Sequence, residues 1–166
     1  MTAGDRRPEH SGEARHAARL AAVQAIYQME LTGADAETVA LEFVEHRFGR
    51  EFEAENPDES FFGDIVRGVP HHQAEIDRSI ISCLATGWRL SRVDSILRAI
   101  LRAAAFELVA RKDVPARVIL DEYVEISHAF FGGDEPAFVN AALDKLARRK
   151  RPTEFGEAPR DDEPTF

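Results

Sequence analysis

Glu125 and His128 stand in a Glu-x-x-His array, the i, i+3 pair from which carboxylate bundles build di-metal sites. Such a site needs a second copy and two further acids on facing helices. The other copy, Glu13-Ala-Arg-His16, lies where the chain has barely begun its helical pattern. Asp121, Glu125 and His128 also share the helix face opposite Ile119, Tyr123, Ile126 and Phe130, so they are expected in water. His71, His72 and Glu75 bring two imidazoles and a carboxylate within a turn, but spacing places no third protein ligand for a structural metal. The single cysteine, Cys83, sits among Ile80, Ile81 and Leu84 and reads as a small core residue. No phosphate-binding glycine loop and no nucleophile elbow is present, and Asp134 and Glu135 put negative charge on the helix start that follows Gly132-Gly133. The expectation is a protein without catalytic residues, metal or cofactor.

Cations and rings point elsewhere. Arg15 and Arg19 are i, i+4 neighbours with His16 beside them, a spacing that can hold two phosphates of one strand. Tyr27 follows two turns on and offers a ring on which an unpaired base can stack. The same residues also suit a solvated helix start with Tyr27 in the core, although two arginines oppose the dipole of a helix N-terminus. The net charge of −9 argues against nucleic-acid contact over most of the surface. Charge is unevenly spread, however: residues 35–59 carry nine acids against two bases, and Lys145 to Arg151 five bases and no acid. Bases at a helix C-terminus complement the macrodipole and need no ligand to explain them.

The elements that must position these residues are helical throughout. Apolar residues recur at helical spacing in "ARHAARLAAVQAIYQMELTG", "ADAETVALEFVEHRFG", "FFGDIVRGV" (capped by Ser60, ended or kinked by Pro70), "HHQAEIDRSIISCLATGW", "RVDSILRAILRAAAFELVARKD", "VPARVILDEYVEISHAFFGG" and a last helix capped by Asp134. No alternating run competes, so the expectation is an all-α fold of seven helices in two packed bundles. Residues 1–14 read as a flexible arm, 15–151 as one domain with subdomains at 15–70 and 71–151, and 152–166 as an acidic, proline-broken tail. No apolar run approaches a membrane span and the first residues do not resemble a secretion signal, so a cytoplasmic location is expected.

Three stretches, in order, resemble the bacterial transcription antitermination factor family NusB: "RHAARLAAVQAIYQMEL", "FFGDIVRGV", and "LRAILRAAAFELVARKDVPARVILDEYVEISHAFFGGDEPAFVNAALDKLAR". The resemblance covers roughly residues 14–149. It implies two small helix bundles, and binding of boxA, a short single-stranded stretch in nascent ribosomal RNA transcripts. It further implies a heterodimer with the small-subunit ribosomal protein NusE, indirect contact with other Nus factors and RNA polymerase, and, for the free protein, a homodimer as an alternative state. The family's RNA-touching positions map to Arg15, Arg19 and Tyr27 on the first helix, and to Asp134 and Phe138 where the last helix begins. An acid suits such a surface, because Asp134 can accept a bond from a base amino group.

One departure has a physical consequence. The family's arginine cluster here reads "RHAAR", with His16, Ala17 and Ala18 diluting the charge. Fewer phosphate contacts imply weaker binding by the isolated protein and more reliance on NusE. Other readings are a NusB-like RNA-binding module of a ribosomal RNA cytosine methyltransferase, which would need a separate catalytic domain, and a self-associating helical interaction protein.

Overall fold

The structure, a computed structural model, describes residues 8–50 and 56–161. Among them are seven α-helices and no strand, as the periodicity predicts: α1 (Pro8–Thr32), α2 (Ala36–Glu42), α3 (Glu59–His71), α4 (Gln73–Ile81), α5 (Ser95–Ala110), α6 (Ala116–Phe130) and α7 (Glu135–Lys150). A π-helical turn, Phe43–Arg47, continues α2, and 3-10 turns occupy Leu90–Arg92 and Pro152–Phe155. The chain divides into two compact units, Met1–Arg67 and Gly68–Phe166, and the division falls within α3.

In the first unit α1 runs well ahead of residue 15 and, alanine-rich, buries Ala18, Ala21, Ala22, Val23, Ala25 and Ile26. Arg15 therefore lies beyond the first turn of its helix, where the dipole objection to a cation no longer applies. Asp35 caps α2 by accepting the Thr38 N–H at 2.8 Å. The π turn, closed by Phe48 N–H to Phe43 O at 2.8 Å, lets two rings five residues apart join one cluster: Phe62 lies 5.5 Å from Phe43 and 4.9 Å from Phe48.

The cap of α3 is Asp58 rather than the expected Ser60. Its Oδ1 accepts the Phe61 N–H at 3.0 Å, while its own N–H donates to Ala14 O at 3.0 Å and ties α3 to α1. Pro70 sits in the last turn of α3 and forgoes one hydrogen bond, to Val66 O, without stopping the helix at once: His72 N–H still donates to Gly68 O at 3.0 Å.

In the second unit α5 is the central element, packed by α4, α6 and α7. From Leu97 to Val109 every residue but Arg98 is buried, and Ala99, Ala103, Ala104 and Ala105 let neighbours approach closely. Phe106 lies against α3 at Gly68, where an added Cβ would meet the ring at 2.3 Å. The buried polar groups of α5 are paired across helices. Arg102 makes a bidentate pair with Asp77 of α4 (2.9 and 3.0 Å), and Glu107 accepts from Tyr123 of α6 at 2.5 Å.

Arg151 departs from the dipole explanation of its basic run. It is 6% exposed and folds back on the C-terminus of α5, donating to the carbonyls of Glu107, Leu108 and Arg111 and to Val114 O. The first residues of the expected tail are likewise engaged. Glu154 Oε1 accepts the Ala116 N–H at 2.9 Å, supplying a cap that Pro115 cannot, and Oε2 accepts from Arg151 at 3.0 Å. Burial alone would raise the Glu154 carboxyl, but these two donors outweigh it and hold it below its ordinary value of 4.5.

Candidate nucleic-acid interface

The first unit carries the arginine surface. Arg15 and Arg19, one turn apart on α1, both bring their guanidinium carbons over the ring of Phe61, at 4.7 and 4.8 Å. Phe61 is itself fixed by the Asp58 cap, and Asp58 Oδ2 lies 3.9 Å from Arg15 Nε. The two arginines differ in what they offer. The Arg15 side chain is one-third exposed, at 33%, whereas Arg19 is 2% exposed. Of the two arginines expected to take phosphate, Arg15 thus stands at the surface and Arg19 lies inside, packed on Phe61. Tyr27 is half-buried. Eight residues beyond Arg19, it stands about 12 Å along the helix and roughly 80° around it, so it does not share the arginines' face.

The second unit carries an aromatic and acidic surface at the start of α7. Asp134 occupies the N-cap position, but its carboxylate makes no capping hydrogen bond. Two local features explain the difference from expectation. Its backbone is αR (φ −85°, ψ −3°) rather than extended, and Pro136, the second helical residue, has no N–H to offer. Asp134 is exposed, leaving an acceptor at the surface one turn before half-buried Phe138. The Phe138 ring packs on Trp88 at 5.4 Å between centroids with the planes tilted by 32°.

Asp121, Glu125 and His128 are exposed, as their helix face predicts. His71 and His72 straddle the α3–α4 junction with rings edge to face at 4.6 Å. Cys83 is buried, 7% exposed. Sequence reasoning missed Asp58, Phe61 and Trp88. Asp58 three residues before Phe61 was a readable cap signal, whereas no local pattern links Trp88 to Phe138, fifty residues away. Among the described residues no helix is long and apolar enough to cross a membrane.

The described residues form seven α-helices and no strand, and comparison with known proteins returns one family of this all-helical class. The model of the NusB family matches residues 16–148. The transcription antitermination protein NusB of Maricaulis maris is 53% identical over 150 residues, covering 89% of this chain and 94% of its own. NusB of T. maritima superposes with a TM-score of 0.73 at 28% identity, covering 86% of this chain and 96% of that one. A solved structure of the antitermination factors NusB and NusE in complex with double-stranded RNA shares the fold, with a TM-score of 0.68 at 23% identity over 86% of this chain and 98% of that chain. The chain belongs to the NusB family.

Proposed function

We propose that this protein is a non-enzymatic, cytoplasmic transcription antitermination factor. It binds boxA-type single-stranded RNA of nascent ribosomal RNA transcripts as a heterodimer with NusE, and so helps RNA polymerase read through terminators. The observation that carries the reading is the 53% identity to an antitermination protein across nearly the whole of both chains. A fold relative crystallised with NusE and RNA supports both partners. In this reading Arg15 takes phosphate, Arg19 positions Phe61 and the helix beneath it, and Tyr27 makes a separate contact further along α1. Asp134 accepts from a base amino group and Phe138 stacks. Residues 15–151 act as the RNA- and partner-binding domain.

The test is fluorescence anisotropy of a labelled boxA-like RNA with the full chain, with and without its cognate NusE, at two salt concentrations. Sequence-selective binding that NusE strengthens and Arg15→Ala weakens is the expected result. Equal affinity of the wild-type pair for boxA and scrambled RNA would overturn the reading.

A further inference from the structure

Trp88 is the only tryptophan in the chain. Of the large exposed hydrophobic side chains among the described residues it is the one aromatic, 52% exposed, beside the aliphatic Leu31, Leu41, Ile81 and Val118. An indole left half in water normally has some other use for its surface, since burying it would contribute more to stability than most side chains can. The backbone holds it there. The turn before it closes with Trp88 N–H donating to Ala85 O at 3.0 Å, and Gly87 takes φ +92°, a conformation that side chains rarely adopt. One side of the ring is packed against Phe138, leaving the remainder open. Two exposed cations, Arg89 and Arg92, follow immediately in sequence.

We propose that Trp88 extends the RNA surface. With Phe138 it forms a two-ring platform on which an unpaired base of the bound strand stacks, and Arg89 and Arg92 take the phosphates flanking that nucleotide. The inference rests on the RNA-binding reading above and adds residues to it. Three observations favour RNA over a protein partner as the occupant. The ring is continuous with Phe138, already assigned to the RNA surface. Arg89 and Arg92, next to Trp88 in the chain, are exposed cations that complement a phosphodiester backbone, while the acid on the Phe138 side, Asp134, is the one assigned to a base amino group. Half-exposed aromatics beside arginines are also the means by which single strands are held without a demand on base identity. A duplex cannot use this platform, because its bases are already stacked and paired.

The single tryptophan makes the site its own reporter. Trp88 emission would be followed while a labelled boxA-like single strand is titrated into the full chain, with anisotropy of the label reading binding independently. Emission quenched in step with anisotropy is expected, with little change for the same sequence as a duplex. Trp88→Ala should weaken single-strand affinity roughly five- to hundredfold, Trp88→Phe should retain most of it, and melting temperatures should stay close to wild type. Arg89→Ala/Arg92→Ala should lower the salt-dependence slope by about 1.4.

Binding by anisotropy that leaves Trp88 emission and Trp88→Ala affinity unchanged would overturn this inference while sparing the function. Emission altered by NusE alone, with NusE affinity lost in Trp88→Ala, would overturn it by assigning the ring to the protein interface. Absence of selective RNA binding in the anisotropy signal itself would overturn the function, and this inference with it.

Discussion

The hydroxyl of Tyr123 donates to the carboxylate of Glu107 at 2.5 Å, with both side chains fully removed from solvent between α5 and α6. A charged or polar group at that depth is tolerated only while its partners remain, so the pair fixes the register of α6 on α5 as well as adding stability. Tyr123→Phe keeps the ring and deletes the donor. The expected cost is about 1–3 kcal/mol by urea unfolding, with RNA affinity unchanged below the melting transition. A variant as stable as wild type would show that the carboxylate is satisfied without the tyrosine.

Arg151 spends its donors on Glu154 and on four backbone carbonyls, two in the last turn of α5 and two in the α5–α6 connection. A lysine has the charge but not the planar fork. Arg151→Lys and Arg151→Ala should therefore both destabilise the second unit, by roughly 3 kcal/mol for alanine and nearly as much for lysine. Full rescue by lysine, measured by thermal melts, would reduce the role of Arg151 to its charge.

Glu154 makes part of that connection pH-sensitive. Its carboxyl is held below the ordinary value in the folded state, so its contribution to stability is complete above the unfolded-state pKa and disappears as pH falls through the lower, folded one. The difference in melting temperature between wild type and Glu154→Gln should be present at pH 7, begin to shrink near pH ~4.5 and vanish only below the lower, folded-state value. A difference that persists undiminished into strong acid would place its origin in packing rather than in the carboxylate.

At Gly68 a methyl group would fall 2.3–2.4 Å from ring carbons of Phe106. The ring is buried in α5 and cannot simply swing away. Gly68→Ala should cost about 1–3 kcal/mol despite alanine's better helix propensity. Adding Phe106→Leu should recover part of the loss, which a double-mutant cycle in urea would detect.

The two arginines on Phe61 should separate by phenotype. Arg15→Ala is expected to weaken RNA binding and lower the salt slope by about 0.7, leaving stability near wild type. Arg19→Ala, at a buried position, should lower the melting temperature instead. The wild-type slope itself should stay below about 2.8 in magnitude, the value for four single-strand phosphate contacts. A steeper slope would show that the diluted arginine segment is compensated by other cations.

Helix periodicity made all seven helices legible because each buries one continuous stripe, as Phe61, Phe62, Ile65, Val66 and Val69 do in α3. Caps were read less well. Asp134 has the right residue type in the right place, but the αR backbone it adopts takes its carboxylate out of reach of the helix. The burial of Arg19 was hidden for another reason. An arginine packs inward only when distant partners meet it, and the partner here, the ring of Phe61, lies forty-two residues on. Trp88 and Phe138 pair over a longer interval still. Local patterns report what a residue can do, whereas long-range packing decides which of those options it takes.

The bonds from Ala116 and Arg151 to Glu154 bear on where this chain can be shortened. Composition invites a cut just after the basic run, where prolines and acids begin. Such a cut would leave the first amide of α6 without its acceptor and Arg151 without its carboxylate, so the shortened protein would fray at the α5–α6 corner. An end placed beyond Glu157, whose N–H donates to Pro152 O and whose carboxylate lies 3.5 Å from Arg148, would keep the corner closed. The residues that look most dispensable by composition thus behave as a latch on the domain's middle.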